Sequence, residues 1–395
     1  MSAVGTGATY PFLTIYLRDA LHLSAPTSAL ALLLLAGIAV PFSLLAGRWC
    51  DNKRARHVAL VGLLTQAVGW SVLASASSGA IVLAALALVG AGTGAFMPAV
   101  VPLLHGLTTS EQQRARAQSL RYLLLNAGLG AGAALAAVAL RHPVASTYRA
   151  LFLVDAVSCV LYAAVLLLRV AASAPAPVRA AGAGAAGRVW RNGNMALLLV
   201  AQLLLVTFGL SQIELGIPLL LRTRLGISPT TIGVLFTVGT LVIVAGQLPV
   251  GRLVERVHKT RALSCLAACW LLAWALGATA TATAGTSRVI LLGAMLVAFT
   301  LGECAYSPAF YSLVGQLAPD GALGRSSGAT FAVFNLGSML GPPGAVLVTS
   351  TGPAGLLWLV LGAAAALTAA VMLLLDHRLH HPHESARGQL RSQLA

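Results

Sequence analysis

Runs of roughly twenty apolar residues, each fenced by a short charged segment, recur about a dozen times and constrain this chain more than any other feature. TSALALLLLAGIAVPFSLLA is typical, covering residues 27–46 without one charge. A run of that length crosses about 30 Å of hydrocarbon as an α-helix, the form in which the backbone satisfies its own polar groups where lipid offers none. Spans are predicted at residues 2–17, 27–46, 57–76, 79–104, 117–140, 149–168, 194–221, 229–250, 262–282, 288–313, 326–349 and 353–375. The chain is 58% hydrophobic and 9% charged, where a soluble domain carries about a quarter charged residues. The predicted fold class is an all-α polytopic membrane protein with twelve transmembrane helices.

A net charge of +15 points to nucleic acid only in a soluble chain; here its distribution matters more. With the amino terminus inside, the outer loops hold six basic residues, Arg18, Arg141, Arg149, Arg222, Arg224 and Arg288, and the inner segments the other 19 of 25. Both termini are therefore expected in the cytoplasm, and no nucleic-acid partner is expected. Arginine far outnumbers lysine and Ala and Gly abound, which suggests a bacterial source and so the cytoplasmic (inner) membrane. The five cysteines form no CxxC pair and read as small packing residues. No HExxH, P-loop or Ser-His-Asp set appears, so neither an enzyme nor a cofactor nor a metal is expected.

The chain repeats itself. LHLSAPTSA at residues 21–29 matches LGISPTTIG at 225–233, an offset of 204. GRWCDNKRAR at 47–56 matches GRLVERVHKT at 251–260 at the same offset, pairing Gly47 with Gly251 and Asp51 with Glu255. At an offset of 209 or 210, Pro98 pairs with Pro308, Arg116 with Arg325, and Asn126 and Gly128 with Asn335 and Gly337. Two six-helix halves of like orientation follow, a 6+6 pseudo-repeat. The predicted division is a first bundle at 1–168, a cytoplasmic linker at 169–193, a second bundle at 194–375 and a cytoplasmic tail at 376–395.

Twelve helices as 6+6, with a GxxxD…R…R loop between helices 2 and 3 and a weaker copy between helices 8 and 9, resemble the major facilitator superfamily of secondary transporters. PFLTIYLRD, YRALFLVDAV and NLGSMLGPPG look most like its proton-coupled drug-exporter branch. The resemblance implies a monomer in the lipid bilayer that works by alternating access on a small-molecule substrate, with protons as the coupling ion. The leading expectation is efflux, by antiport, of small hydrophobic drug-like compounds; a sugar, lipid or metabolite carrier is the alternative, and a non-transporting sensor ranks third. The resemblance also gives the loop a mechanical role as a cytoplasmic gate. Gly47 permits a tight turn, the Asp51 carboxylate sits at helix amino termini, and Arg54 and Arg56 pair across the interface between the bundles, with Gly251 and Glu255 as the copy. Arg54 stands where the family pattern has a second Gly, and Asn52 where it has Arg.

Charge inside a span is costly, so intramembrane carboxylates are candidates for proton coupling or substrate binding. Three qualify: Asp155, Glu214 and Glu303. Leu88 occupies the helix 4 position where many proton-coupled exporters carry Arg, so coupling is expected to rest on these carboxylates. Tyr10, Phe12, Tyr16, Phe96, Phe208, Gln212, Tyr306 and Phe310 are candidates for lining an apolar cavity. Asn126, Gly128, Asn335, Gly337, Gly341 and Pro342 are read as helix-packing or gating positions.

Overall fold

The computed structural model describes residues 2–17, 21–51, 55–140, 144–169, 189 and 191–380. Twelve helical segments lie among them. In the first half these are α1 (Ser2–Ile15), α2 (Ala25–Trp49), α3 (Ala55–Ala74), α4 (Gly79–Gly106), α5 (Glu111–Ala139) and α6 (Ala145–Arg169). In the second, α7 is composite: Gly193–Leu205, two π-helical turns at Val206–Leu210 and Gln212–Gly216, then Ile217–Thr223. It is followed by α8 (Pro229–Arg256), α9 (Lys259–Thr281), α10 (Gly285–Leu317), α11 (Leu323–Thr351) and α12 (Ala354–His380). Ten of these are long and apolar enough to cross a membrane. The exceptions are α1, only 14 residues long, and α5, whose first turns carry Glu111, Arg114, Arg116 and Arg121. The predicted linker falls almost wholly outside the described residues; α12 continues five residues into the segment read as tail.

The sequence repeat returns as repeated atomic detail. Ser24 caps α2 by accepting from the Thr27 N–H, and Ser228 caps α8 by accepting from the Thr231 N–H, each with a proline in the first turn, where a missing N–H costs nothing. Just before each cap the chain makes the same turn: Leu23 N–H donates to the Leu17 carbonyl and Ile227 N–H to that of Leu221, both at 3.0 Å. The turn needs one left-handed residue, Gly226 at φ 65° in the second half and His22 at φ 52° in the first. Asn126 and Asn335 each bond back to the carbonyl four residues earlier, at 2.9 and 2.8 Å.

By its internal contacts the chain divides into two compact units, Met1–Ala186 with Ala318–Met339, and Gly187–Leu317 with Leu340–Ala395. The boundary inside α11 falls just before Gly341-Pro342-Pro343. Trp70 stacks on Phe152 at 5.8 Å in the core of the first unit, where Tyr16 meets Phe152 edge-on. Trp270 stacks on Phe299 at 4.5 Å in the core of the second, and the Trp270 indole N–H donates to the Phe299 carbonyl. Aromatic pairs of this kind add about 0.5–1.5 kcal/mol each beyond the area they bury.

A proline leaves the carbonyl four residues earlier without its helical donor, and at two such places in the second half a side chain from another helix supplies a replacement. Pro308 orphans the Cys304 carbonyl of α10, which the fully buried Gln247 of α8 takes up at 3.0 Å. Pro353 does the same to Thr349 at the end of α11, and the Arg224 guanidinium bonds there through Nε at 2.7 Å and to Gly352 at 3.1 Å.

Candidate functional site

The amino end of α11 rests on the end of α2, within the first unit. Gly324 and Arg325 lie in the opening turn of α11, where backbone N–H groups have no intrahelical acceptor. The Asp51 carboxylate supplies one. Oδ1 accepts from Gly324 N–H at 2.6 Å, Oδ2 from Arg325 N–H at 3.2 Å, and the Arg325 guanidinium stands 3.5 Å from Oδ2. A carboxylate from one helix thus caps another, where the macrodipole favours negative charge.

Glycines make the approach possible. A Cβ on Gly47 would sit 2.6 Å from the Gly324 carbonyl oxygen, and one on Gly328 would sit 2.5 Å from that of Ser43. Small residues four apart on each helix, Ser43 and Gly47 against Gly324 and Gly328, let the backbones touch. A third helix joins through Ser327, whose hydroxyl donates to the Pro98 carbonyl of α4 at 2.8 Å. Asp51 is 8% exposed, and burial pushes its carboxyl up from 3.8 to about 6, against the pull of the Gly324 and Arg325 N–H groups and the Arg325 charge.

The other predicted gate residues behave differently. Arg54 lies outside the described residues. Arg56 does not reach between bundles: its Nη2 donates to the Leu167 carbonyl at 2.6 Å, inside the first unit. The physical reason is local, since the last carbonyls of α6 lack helical donors and a cation is favoured at a helix carboxyl end. In the copy, Gly251 is buried and Glu255 partly exposed. The organising charge there is Lys259, whose Nζ donates to the Val254 carbonyl at 2.6 Å and closes the end of α8.

Of the three intramembrane carboxylates, Asp155 belongs to the first unit and has no exposed surface. Its Oδ2 accepts from Thr9 of α1 at 3.0 Å and its Oδ1 from Ser158 at 3.1 Å. Gly5 packs directly on it, so Asp155 ties α1 to α6. Glu214 lies on the second π-helical turn of α7, its side chain outside the described residues. Glu303 is partly exposed on α10, five residues before Pro308.

The predicted cavity lining separates into two groups. Tyr10 keeps 39% of its surface exposed, and Phe12 and Phe208 are partly exposed. Tyr16, Phe96, Tyr306 and Phe310 are instead buried: Phe96 packs edge-on against Tyr162 and Phe310 stacks on Tyr306 at 5.4 Å. These four are core residues, each packed against another ring. Gln212 is also buried, its amide donating to Thr207 at 2.7 Å and to Gly341 at 3.0 Å. Gly128 packs against Ala3 of α1, Gly341 against Ser211 of α7, Gly337 is buried and Pro342 partly exposed.

Several residues that the structure brings into prominence are not singled out by the sequence: Gly324, Ser327 and Gly328, and the buried glutamines Gln202 and Gln247. Tyr306 donates to Gln202 Oε1 at 2.9 Å. The signals exist. GRSSG is a small-xxx-small pair, and a Gln inside an apolar run is a cost that calls for a partner.

A sequence profile of the Major Facilitator Superfamily matches residues 1–342 and 204–395. The chain is 28% identical over 391 residues to the multidrug resistance protein MdtH of Aeromonas hydrophila, covering 97% of this chain and 94% of that one. It is 28% identical over 349 residues to MdtH of Aeromonas salmonicida, with 87% and 84% covered. Among solved structures, the Escherichia coli fucose:proton symporter FucP superposes with a TM-score of 0.75 at 15% identity, over 95% of each chain. A bacterial homologue of the iron transporter ferroportin, in its outward-facing state, gives 0.77 at 17% identity over 95% and 97%. The chain is a multi-pass membrane transporter, not an enzyme, and belongs to the major facilitator superfamily.

Proposed function

We propose that this transporter exports small hydrophobic drug-like compounds by alternating access in exchange for protons, from a bacterial inner membrane with both termini in the cytoplasm. The observation that carries the mechanism is the Asp51 carboxylate bonded to two N–H groups, and ion-paired with a guanidinium, at the start of α11. A contact built from main-chain donors and reciprocal glycines is a two-state element, formed when α11 docks and lost when it withdraws. It serves as the latch that closes the cytoplasmic side. The names of the curated relatives favour drug efflux. With Asp155 held between α1 and α6, coupling falls to Glu214 and Glu303, and Tyr10, Phe12 and Phe208 offer surface to an apolar substrate.

The test is a susceptibility panel in an efflux-deficient host, with ethidium, tetraphenylphosphonium and several antibiotics, followed by efflux from vesicles under an imposed pH gradient. The native chain should raise tolerance to at least one compound, and Asp51→Ala should return it to the empty-vector level. Efflux that ignores the pH gradient would refute antiport. Full gradient-driven activity in both Glu214→Gln and Glu303→Gln would remove the carboxylates from coupling.

A further inference from the structure

Two prolines stand in one line of α4, Pro98 and Pro102. Because Pro102 has no N–H, the Pro98 carbonyl loses the donor that an unbroken helix would give it. The residues around it, Ala99, Val100 and Val101, are buried and apolar. An acceptor left bare there would bear its full desolvation cost. Ser327, itself with no exposed surface, takes it up at 2.8 Å.

In the second half of the repeat the matching carbonyl, freed by Pro308 of α10, is served by a helix of the same half, through Gln247 of α8. The α4 defect is repaired from α11, on the same turn that Asp51 caps. Its neighbour Ser326 is equally buried, yet its hydroxyl has no partner among the described residues. Burial at this end of α11 therefore does not by itself produce a hydrogen bond.

We propose that Ser327 is a positioning residue of the latch, holding the amino end of α11 on α4 by satisfying the carbonyl that Pro102 orphans. The inference rests on the latch reading above and extends it: the Ser327 bond to α4 and the Asp51 contact engage and release together. When α11 withdraws, the Pro98 carbonyl loses its donor at the same moment that Gly324 and Arg325 lose their acceptor.

Cys50 is a native reporter. It is 6% exposed, and its Cβ lies 2.7 Å from where a Cβ on Gly324 would stand, so docked α11 covers it. Burial and the adjacent Asp51 carboxylate push its thiol up, which slows alkylation while the contact holds. Inside-out vesicles carrying the full chain are treated with a membrane-impermeant charged maleimide, and Cys50 is followed by peptide mass spectrometry.

Ser327→Ala should accelerate alkylation about tenfold, as expected for a lost buried hydrogen bond. In a Pro102→Ala background, where the alanine would return a helical N–H to the Pro98 carbonyl, the same change should be worth less than about twofold. Ser326→Ala should also stay below about twofold. Equal acceleration in both backgrounds, equal effects of the two serine variants, or no acceleration by Ser327→Ala would each overturn the proposal. If the Pro102→Ala chain does not accumulate, the two serine variants decide alone. Gly47→Ala separates the levels: if it leaves Cys50 unchanged, the latch reading fails. If it accelerates Cys50 while Ser327→Ala does not, only the role of Ser327 fails.

Discussion

Replacing Gly47 by alanine adds one methyl group where the structure has no room for it. The new Cβ would lie 2.6 Å from the Gly324 carbonyl oxygen and 3.0 Å from the Gly328 Cα, both backbone atoms that cannot turn aside. Ordinary contact begins at 3.4 Å, so α2 and α11 must part by about 0.8 Å. That displacement stretches the bond from Gly324 N–H to Asp51 from 2.6 to about 3.4 Å, and the 3.2 Å bond from Arg325 N–H to about 4.0 Å, beyond hydrogen-bond range. Overpacking costs about 1–3 kcal/mol and the one bond lost outright, from Arg325, is worth a further 1.5 or so, against a helix-propensity gain of about 0.5–1 kcal/mol for Gly→Ala. A net loss of about 2 kcal/mol makes the docked arrangement roughly thirtyfold less populated. The helix carries its own control, because a Cβ on Gly37 meets nothing within 4 Å. Alkylation of Cys50 should therefore rise by one to two orders of magnitude in Gly47→Ala and stay near the native rate in Gly37→Ala. Rates within twofold of each other in the two variants would refute the claim that this close approach is what the glycine is for.

Two further outcomes follow from the same geometry. The Asp51 carboxyl, raised from 3.8 to about 6, binds its proton more tightly in the fold than in the unfolded chain, so it contributes stability below pH 3.8 that is lost as pH rises through 6. Against the non-titrating Asp51→Asn, the native chain should lose up to about 3 kcal/mol across that window, read as a falling difference in apparent melting temperature in detergent; a native chain that gains on the variant would reverse the sign. Asp155→Asn keeps the shape between Thr9 and Ser158, whose hydroxyls can turn to accept as well as donate, so gradient-driven efflux should survive with under about 1 kcal/mol of destabilisation. Abolished coupling in a well-folded Asp155→Asn chain would return Asp155 to the proton path.

Features set by neighbours along the chain are legible in the sequence. Ten of the twelve helices follow from hydropathy alone, and the serine caps with their prolines at Ser24 and Ser228 follow from a few adjacent residues. Even the left-handed turn is foreshadowed in the aligned pair His22 and Gly226, since glycine in one copy marks a position that favours positive φ. Asp51 is legible as a capping group, but its partner is not, because the acceptor and the N–H of Gly324 are 273 residues apart. The aromatics are illegible for a related reason. Tyr16 and Phe310 are open to a cavity-lining reading, yet which face each presents depends on Phe152 and Tyr306, and composition does not specify those pairings.

The repeat itself misleads at one point, and the reason bears on mechanism. Duplication pairs Asp51 with Glu255, but in the second half the end of α8 is closed by Lys259 bonding to the last carbonyls of that helix. Duplication likewise pairs Pro98 with Pro308, but the carbonyl freed by Pro308 in α10 is served by α8, a helix of the same sequence half. In both comparisons the second half satisfies its polar groups internally, whereas the first leaves a carboxylate and a carbonyl that are served by one turn of α11. Neither group is cheap to leave bare: burial already works against the Asp51 charge, and the Pro98 carbonyl has apolar neighbours. On the latch reading proposed above, a contact whose loss bares two buried groups at once would favour two arrangements over the positions between them, as a gate in an alternating-access cycle requires.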